Sequence, residues 1–158
     1  MPTVQPSKYQ LKKLDQWKAW KQRILPAIFS PFLQLFAQTK SFANFDGIPP
    51  LRQQPCSCSQ KGRTLNVKLL SFLVYLEIHV CECNLAATQL LSQGYFPCSP
   101  VHLTLAIDVR VLKFVAYLFS EMAPNHTAWT QAMEGFHSSM GHKLEGEVSY
   151  NCFYNCYT

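Results

Sequence analysis

Apolar residues recur at a helical spacing through the first 24 positions of the chain. Ser7 and Gln10 have the three-residue separation of a capping box, which predicts a helix that begins near residue 8. The apolar residues that follow are separated by lysines at near-helical intervals, and they are Leu11, Leu14, Trp17 and Ile24. The pattern predicts a helix over about 8–24.

Two prolines are expected to divide the region that follows. Pro26 should end or kink the first helix, because proline has no backbone N–H and its ring clashes with the preceding turn. Ser30-Pro31 matches the cap and first position of a second helix, with an apolar face that includes Phe32 and Leu35. We therefore expect this second helix over about 31–39.

The middle of the chain changes to a period of two. Residues 43–63 are rich in proline and glycine and are predicted to be a loop. Apolar and polar positions then alternate in two runs, and the apolar positions are Leu65, Val67, Leu69, Val74, Leu76, Ile78 and Val80. Such alternation predicts two half-buried strands that form a hairpin.

The C-terminal half returns to helical spacing. Asn84 and Gly94 are placed to begin and end a short helix over 85–92, and residues 95–103 are predicted to be a Pro-rich turn. Thr104 is the expected cap of a longer helix, and Pro124-Asn125 precedes a last one. The predicted fold class is α+β, mostly helical with a small β-hairpin next to a cysteine cluster. We expect a helical arm at 1–45, a cysteine-cluster domain at 46–144 and an aperiodic tail at 145–158.

The composition indicates a hydrophobic core and an uneven distribution of charge along the chain. The 158 residues are 48% hydrophobic and 15% charged, which suits one folded domain rather than a disordered chain. Residues 1–45 carry seven basic residues and one acidic residue, a net charge of +6. A basic segment favours a polyanionic partner such as nucleic acid, although a solvated helix face would have the same composition. The candidate phosphate contacts are Lys12, Lys13, Lys18, Lys21 and Arg23.

Seven cysteines supply the candidate chemistry. Cys56-Ser57-Cys58 and Cys81-Glu82-Cys83 are two Cys-x-Cys pairs, and Cys98 follows in a Pro-rich segment. Four thiolates in two close pairs are the ligands that tetrahedral zinc prefers, with Cys98 or His79 as substitutes. Buried free cysteines that act as small hydrophobic residues are the alternative interpretation. In a strand, Cys81 and Cys83 point to the same side, and a hairpin would carry them back toward Cys56 and Cys58.

The termini and apolar runs bear on location. The first eight residues lack the apolar core of a signal peptide, so an intracellular, non-secreted protein is expected, in a reducing compartment where paired cysteines more often bind metal. The longest apolar run, from Leu69 to Leu76, is too short to span a membrane, and no membrane partner is expected.

The sequence lacks the familiar local motifs of catalysis. The sequence has no glycine-rich phosphate loop, no nucleophile elbow and no pair of carboxylates that clearly faces one site, so we predict a protein that is not an enzyme and has no small-molecule substrate. Trp17 and Trp20 among the lysines fit stacking on a nucleic-acid strand. Packing of both rings in the core is the alternative.

Several segments resemble the cysteine-cluster domain associated with KDZ (Kyakuja, Dileera and Zisupton) transposases. The resemblance lies in the second Cys-x-Cys pair and in 89–100, 104–115 and 123–129. It implies a fungal mobile-element origin and a cluster that precedes a transposase core and binds zinc and DNA. Thr130 stands where relatives often have another cysteine, and residues 145–158 match nothing in the family.

The sequence therefore predicts a non-catalytic, zinc-stabilised cysteine-cluster module of a KDZ-type transposase, present as a fragment or domesticated remnant. The metal ligands implied by the resemblance are Cys56, Cys58, Cys81, Cys83 and Cys98. The expected location is the nucleus, with DNA and possibly a transposase core in trans as partners. The alternative is a structural or protein-interaction remnant that binds neither metal nor DNA.

Overall fold

The computed structural model describes residues 7–44, 62–69, 75–123 and 125–141, and every structural statement below concerns those residues. Helices dominate them, and a small mixed sheet lies between the helices. The predicted α+β class is confirmed. The first Cys-x-Cys pair and the 145–158 tail lie outside the described residues.

One continuous helical segment occupies the N-terminal region. Helix α1 spans Lys8–Ala19, a π-helical turn spans Trp20–Ile24, and helix α2 spans Leu25–Gln38. The capping box is confirmed: the Ser7 N–H donates to Gln10 Oε1 at 2.8 Å, and the Gln10 N–H donates to Ser7 Oγ at 3.3 Å.

The predicted division into separate helices over 8–24 and 31–39 is wrong. The N–H of Leu25 donates to the carbonyl of Trp20, the wide hydrogen bond of a π-turn, and Pro26 follows in the first turn of α2. Pro26 has no N–H to donate to the preceding turn, and the π-turn directly before it already replaces the regular i→i−4 hydrogen bonds there. Pro31 lies inside α2 and interrupts it no more than Pro26 does.

The sheet is larger than the predicted hairpin. Strands β1 (Arg63–Leu69) and β2 (Tyr75–Val80) pair antiparallel, with Arg63 opposite Val80, which confirms the hairpin. Strands β3 (Tyr95–Pro97) and β4 (Leu105–Asp108) extend it in the order β2-β1-β4-β3, with β1 and β4 parallel.

Three helices follow the hairpin, at α3 (Ala86–Ser92), α4 (Val109–Glu121) and α5 (His126–Ser139). Gly94, with a φ of 87°, follows the end of α3 as predicted. The N-cap of α3 is Leu85 rather than Asn84. The helix expected to begin at Thr104 begins instead at Val109. Its cap is Asp108, whose Oδ1 accepts from the Arg110 N–H at 2.8 Å.

The N-terminal helices share a core with the rest of the fold. Trp20, Ile24, Ile28 and Leu35 pack in one cluster with residues of α3 and the start of α4. The Trp20 ring stacks on Phe96 of β3, with 5.8 Å between centroids and 4° between ring planes. The side chain of Lys113 in α4 donates to the Ser41 carbonyl just beyond α2. These contacts hold the basic helix on the domain that carries the second Cys-x-Cys pair.

Candidate metal site and nucleic-acid surface

The second Cys-x-Cys pair lies in a turn between β2 and α3. Val80 is the last residue of β2 and is buried, so the sheet fixes the chain immediately before Cys81. The turn then brings Cys81 Sγ to 2.9 Å from Cys83 Sγ, with Cys81 partly exposed and Cys83 exposed. Two thiols that converge on the surface next to a rigid strand can supply two neighbouring ligands to one metal ion.

The separation of the two sulfur atoms fits a chelating pair that needs only a small side-chain rotation. With Zn–S bonds of about 2.3 Å, two sulfurs at adjacent corners of a tetrahedron lie about 3.8 Å apart. The 2.9 Å separation is shorter than this edge and longer than the bond of about 2.05 Å in a disulfide. The backbone therefore already presents both thiols to one point.

The side-chain amide of Gln89, in α3, holds this turn. Its Oε1 accepts from the Cys81 N–H at 3.2 Å, and its Nε2 donates to the carbonyls of Cys81 at 3.1 Å and of Asn84 at 3.0 Å. Neighbouring positions Leu90 and Leu91 are buried, so α3 is fixed in the core. The amide thus ties both ends of the cysteine turn to a rigid helix.

The hairpin register places the chain that follows the first cysteine pair beside the second. Gly62 immediately precedes β1, and a Cβ atom at this position would lie 3.0 Å from the Val80 carbonyl oxygen. Gly62 is therefore in close contact with the residue before Cys81. Cys58 lies four positions before Gly62, a reach of at most about 14 Å. Chain length thus permits Cys58 to approach Cys81, although Cys56 and Cys58 lie outside the described residues.

Cys98 lies apart from the pair. It follows β3 at one edge of the sheet, whereas Cys81 follows β2 at the other edge. Three strand spacings of about 4.8 Å separate those edges by about 14 Å, too far for ligands of one ion. Cys98 is only 5% exposed and packs with Leu105 and Ile107. The expectation that it joins Cys81 and Cys83 is therefore not met, and its surroundings are those of a buried apolar side chain.

His79, the other proposed substitute, is on the exposed side of β2 and engages its cross-strand neighbour. Its Nδ1 lies 2.8 Å from Thr64 Oγ1. Within the described ranges, no three His, Cys, Asp or Glu side chains come together as a potential metal site. Any site built on Cys81 and Cys83 needs further ligands, and Cys56 and Cys58 form the other Cys-x-Cys pair of the sequence.

The five candidate phosphate contacts are all exposed, and they are Lys12, Lys13, Lys18, Lys21 and Arg23. Helix α1 has no fully buried residue, and only Gln16, Trp17 and Ala19 are half-buried, so most of its surface is open to a partner. Successive helical residues are about 100° apart, which distributes these side chains around the axis. We therefore expect about three of the five, rather than all, to face one duplex.

The two tryptophans differ in their environment. Trp20 is 7% exposed and stacks on Phe96, so core packing is its role and the stacking of a base on it is excluded. Trp17 is partly buried against the same cluster, and Lys21 Nζ lies 5.5 Å from the centroid of its ring. Positive charge, rather than aromatic stacking, is thus what this helix presents.

Sequence reasoning missed Gln89 and Gly62 as parts of the site. A glutamine on a short amphipathic helix has no pattern that sets it apart, because its partners are backbone atoms eight and five residues earlier in the chain. From the sequence, Gly62 is simply one of the glycines of the predicted loop over 43–63. A glycine directly before a predicted strand was the one available signal of close backbone approach.

Across the described segments, no helix combines the length and hydropathy of a membrane span.

The hairpin, the cysteine turn and the helices that follow define a small α+β cysteine-cluster domain. The family model of the CxC1-like cysteine cluster associated with KDZ transposases matches residues 42–141. The chain belongs to this family, and the resemblance noted in the sequence is confirmed. Comparison with curated proteins and with solved structures found no match.

Proposed function

We propose that the protein is a non-catalytic, zinc-stabilised module of a KDZ-type transposase, with Cys56, Cys58, Cys81 and Cys83 as the zinc ligands. The observation that carries this proposal is the convergence of Cys81 and Cys83 after β2, beside the close contact of Gly62 with Val80. Thiolate sulfur is the donor that structural zinc sites use most. A zinc ion would join two segments that are distant in sequence.

Substitution of single ligands tests the zinc proposal. In protein purified under reducing conditions, we expect about one zinc per chain, and Cys81→Ser or Cys83→Ser should lower this value because serine oxygen is a poor zinc ligand. Cys98→Ala is the matched control: it should retain zinc, since Cys98 is buried away from the site. Equal zinc content in Cys83→Ser and Cys98→Ala would rule out the assignment of ligands.

The ancestral role of this module is DNA binding in the nucleus, through the basic residues of α1 and the π-turn. A transposase core acting in trans is the corresponding protein partner, and a fragment or domesticated remnant of such an element is the corresponding origin. Exposed lysines on an open helix support this role. The attraction is electrostatic and predicts weak sequence preference.

Salt dependence tests DNA binding. If about three side chains neutralise phosphates, log K should fall with log salt concentration with a slope of about −3, since each phosphate contributes about −0.9. Replacement of all five basic residues by Gln should abolish binding, whereas Lys68→Gln, on β1, should leave it unchanged. A slope near zero, or undiminished binding by the fivefold variant, contradicts the role.

One observation favours a protein-interaction module that binds neither metal nor DNA. Helix α2 contains no charged residue and exposes large apolar side chains on one side, at Leu25, Phe29, Leu33 and Phe36. Exposed apolar patches of this kind mark protein contacts. Protein without zinc that shows no DNA binding at low salt would favour this second function.

A further inference from the structure

We propose that Gln89 is a positioning residue that pre-organises Cys81 and Cys83 as a two-sulfur chelate before any ion binds. The inference rests on the proposed function for its zinc readout but not for its geometry. It assigns to a helix side chain the task that a longer Cys-x-x-Cys loop performs with its own backbone. A Cys-x-Cys turn has one residue fewer between its thiols, so its own backbone can form fewer hydrogen bonds and the turn depends more on a side chain from outside it.

The three hydrogen bonds of Gln89 use the whole amide group. The Gln89 Oε1 accepts from one N–H of the turn, and the two N–H groups of Nε2 donate to two of its carbonyls. The turn therefore cannot rotate without breaking at least one of these hydrogen bonds. Cys81 is fixed at both its N–H and its carbonyl, and Asn84 is fixed directly after Cys83. The intervening backbone is therefore held in the shape that brings Sγ of Cys81 to 2.9 Å from Sγ of Cys83.

The support is rigid because α3 is anchored in the core. Leu90 and Leu91, the next two residues, are 2% and 0% exposed and belong to two different apolar clusters. A side chain on such a helix has a fixed origin, and a partly buried amide keeps its hydrogen bonds in competition with water. Without the amide, the turn would be ordered only when zinc binds, and the cost of ordering it would weaken the affinity for zinc.

Two substitutions separate hydrogen bonding from packing. Gln89→Ala removes all three bonds, while Gln89→Glu keeps the size but turns a carboxylate oxygen toward two carbonyl oxygens. If the amide positions the turn, both variants should bind zinc about 10–100-fold more weakly than the wild type, the usual cost of losing a residue that orients metal ligands. Gln93→Ala, at the end of the same helix, is the control and should not change affinity. In cobalt-loaded protein, the thiolate charge-transfer band should weaken in the same two variants.

A trivalent arsenical tests the positioning without zinc. Phenylarsine oxide condenses with two neighbouring thiols, forming two As–S bonds and releasing one water, and needs no oxidant. In metal-free, reduced, full-length protein, we measure by peptide mass spectrometry the fraction of chains bridged at 81–83 under limiting reagent. We expect severalfold less bridging in Gln89→Ala and Gln89→Glu than in the wild type or Gln93→Ala.

The arsenical result decides the inference. Equal bridging in the wild type and both Gln89 variants overturns the positioning role, whether or not zinc binds. If the wild type binds no zinc while bridging still depends on Gln89, the zinc function fails and the positioning role stands. Circular dichroism of each variant verifies that α3 is retained, and a variant that loses its helices is replaced by Gln89→Asn, whose shorter amide cannot reach the turn.

Discussion

At the scale of single residues, Asp108 joins the sheet to α4. It ends β4, caps α4, and its carboxylate also accepts from the side chain of Arg110, with Oδ2 to Nη2 at 2.5 Å. The carboxylate is buried but Arg110 is 52% exposed, so we assign the stabilisation mainly to the cap rather than to the ion pair. Asp108 also acts on its cross-strand neighbour, Tyr95.

The pKa of Tyr95 is raised, chiefly by partial burial and further by the charge of Asp108, while Arg110 opposes the shift. Below about pH 10, tyrosine is neutral in both the folded and the unfolded state. As the pH rises further, the unfolded tyrosine ionises first, so this group's contribution to stability is lost. We therefore expect the wild type to lose unfolding free energy relative to Tyr95→Phe above about pH 10. Urea unfolding of both proteins between pH 7 and 11 measures this, and a constant difference would refute the shift.

What the sequence reveals at this scale depends on whether the partner of a residue is local. Ser7 and Gln10 cap one another across three residues, and the capping box was predicted from that spacing. Gln89 bonds to a turn whose position depends on β2 and α3 together, so its role required the structure. Cys98 illustrates the reverse case, since strand order separates it from cysteines that are near in sequence.

At the scale of elements, the approach of Gly62 to β2 fixes the start of the hairpin. A methyl group there would lie 3.0 Å from backbone, which cannot move aside easily. Gly62→Ala should therefore destabilise the fold by about 1 kcal/mol, the order expected for a small overpacking change. Gly135→Ala, inside α5 with no atom within 4 Å of the added Cβ, should instead stabilise it by about 0.5–1 kcal/mol. Denaturant midpoints give both values, and effects of the same sign would contradict the account.

Element prediction succeeded where a pattern was long and failed where it was short or absent. The hairpin strands alternate over six or seven residues and were recognised. Strand β4 is buried at all four positions, so it has no alternation to detect, and its apolar residues were attributed to α4. Strand β3 has three residues and contains a proline. The helix through Pro26 was missed because a π-turn adjusts the backbone in a way that propensity does not reveal.

Trp20 connects the N-terminal helix to the sheet. Its buried ring lies on Phe96, and the cluster around it includes residues of α2, α3 and α4. Trp20→Ala should cost about 3–5 kcal/mol, the usual loss for a large buried aromatic residue. Trp17→Ala, which removes a partly buried ring of the same size, should cost distinctly less. Guanidinium unfolding compares the two, and similar losses would mean that the helix is not held through Trp20.

At the scale of the whole molecule, the basic helix and the cysteine turn are parts of one packed structure. A single buried cluster crosses the predicted 45/46 boundary, from Trp20 to Ala87 and Val109. The boundaries at 45/46 and 144/145 stay predictions, and both lie outside the described residues. The cysteine turn is fixed to α3, and α3 packs on α2, the helix that continues from α1 and the π-turn that carry the lysines. A metal ion that orders the turn would therefore also stabilise the basic surface that we propose as the DNA contact.

The fold class and the family were predictable from the sequence because they depend on composition and on motifs that extend over many residues. The assembly of the candidate site was only partly predictable. The sequence predicts that Cys81 and Cys83 lie on one side of a strand, but β2 ends at Val80 and they converge in the turn that follows, held by Gln89. The approach of Gly62 follows from strand register. Spacing within a segment can be read directly, but contacts between segments depend on the packing of the entire core.

The measurement that tests the central claim most directly is zinc content combined with chelation. Purified full-length protein should contain about one zinc per chain, and a strong chelator should lower its thermal unfolding temperature, because metal binding energy contributes to folding. Return of zinc to the reduced protein should restore that temperature. Protein that contains no zinc after purification and reconstitution, or whose unfolding temperature is unchanged by chelation, would contradict a zinc-stabilised module.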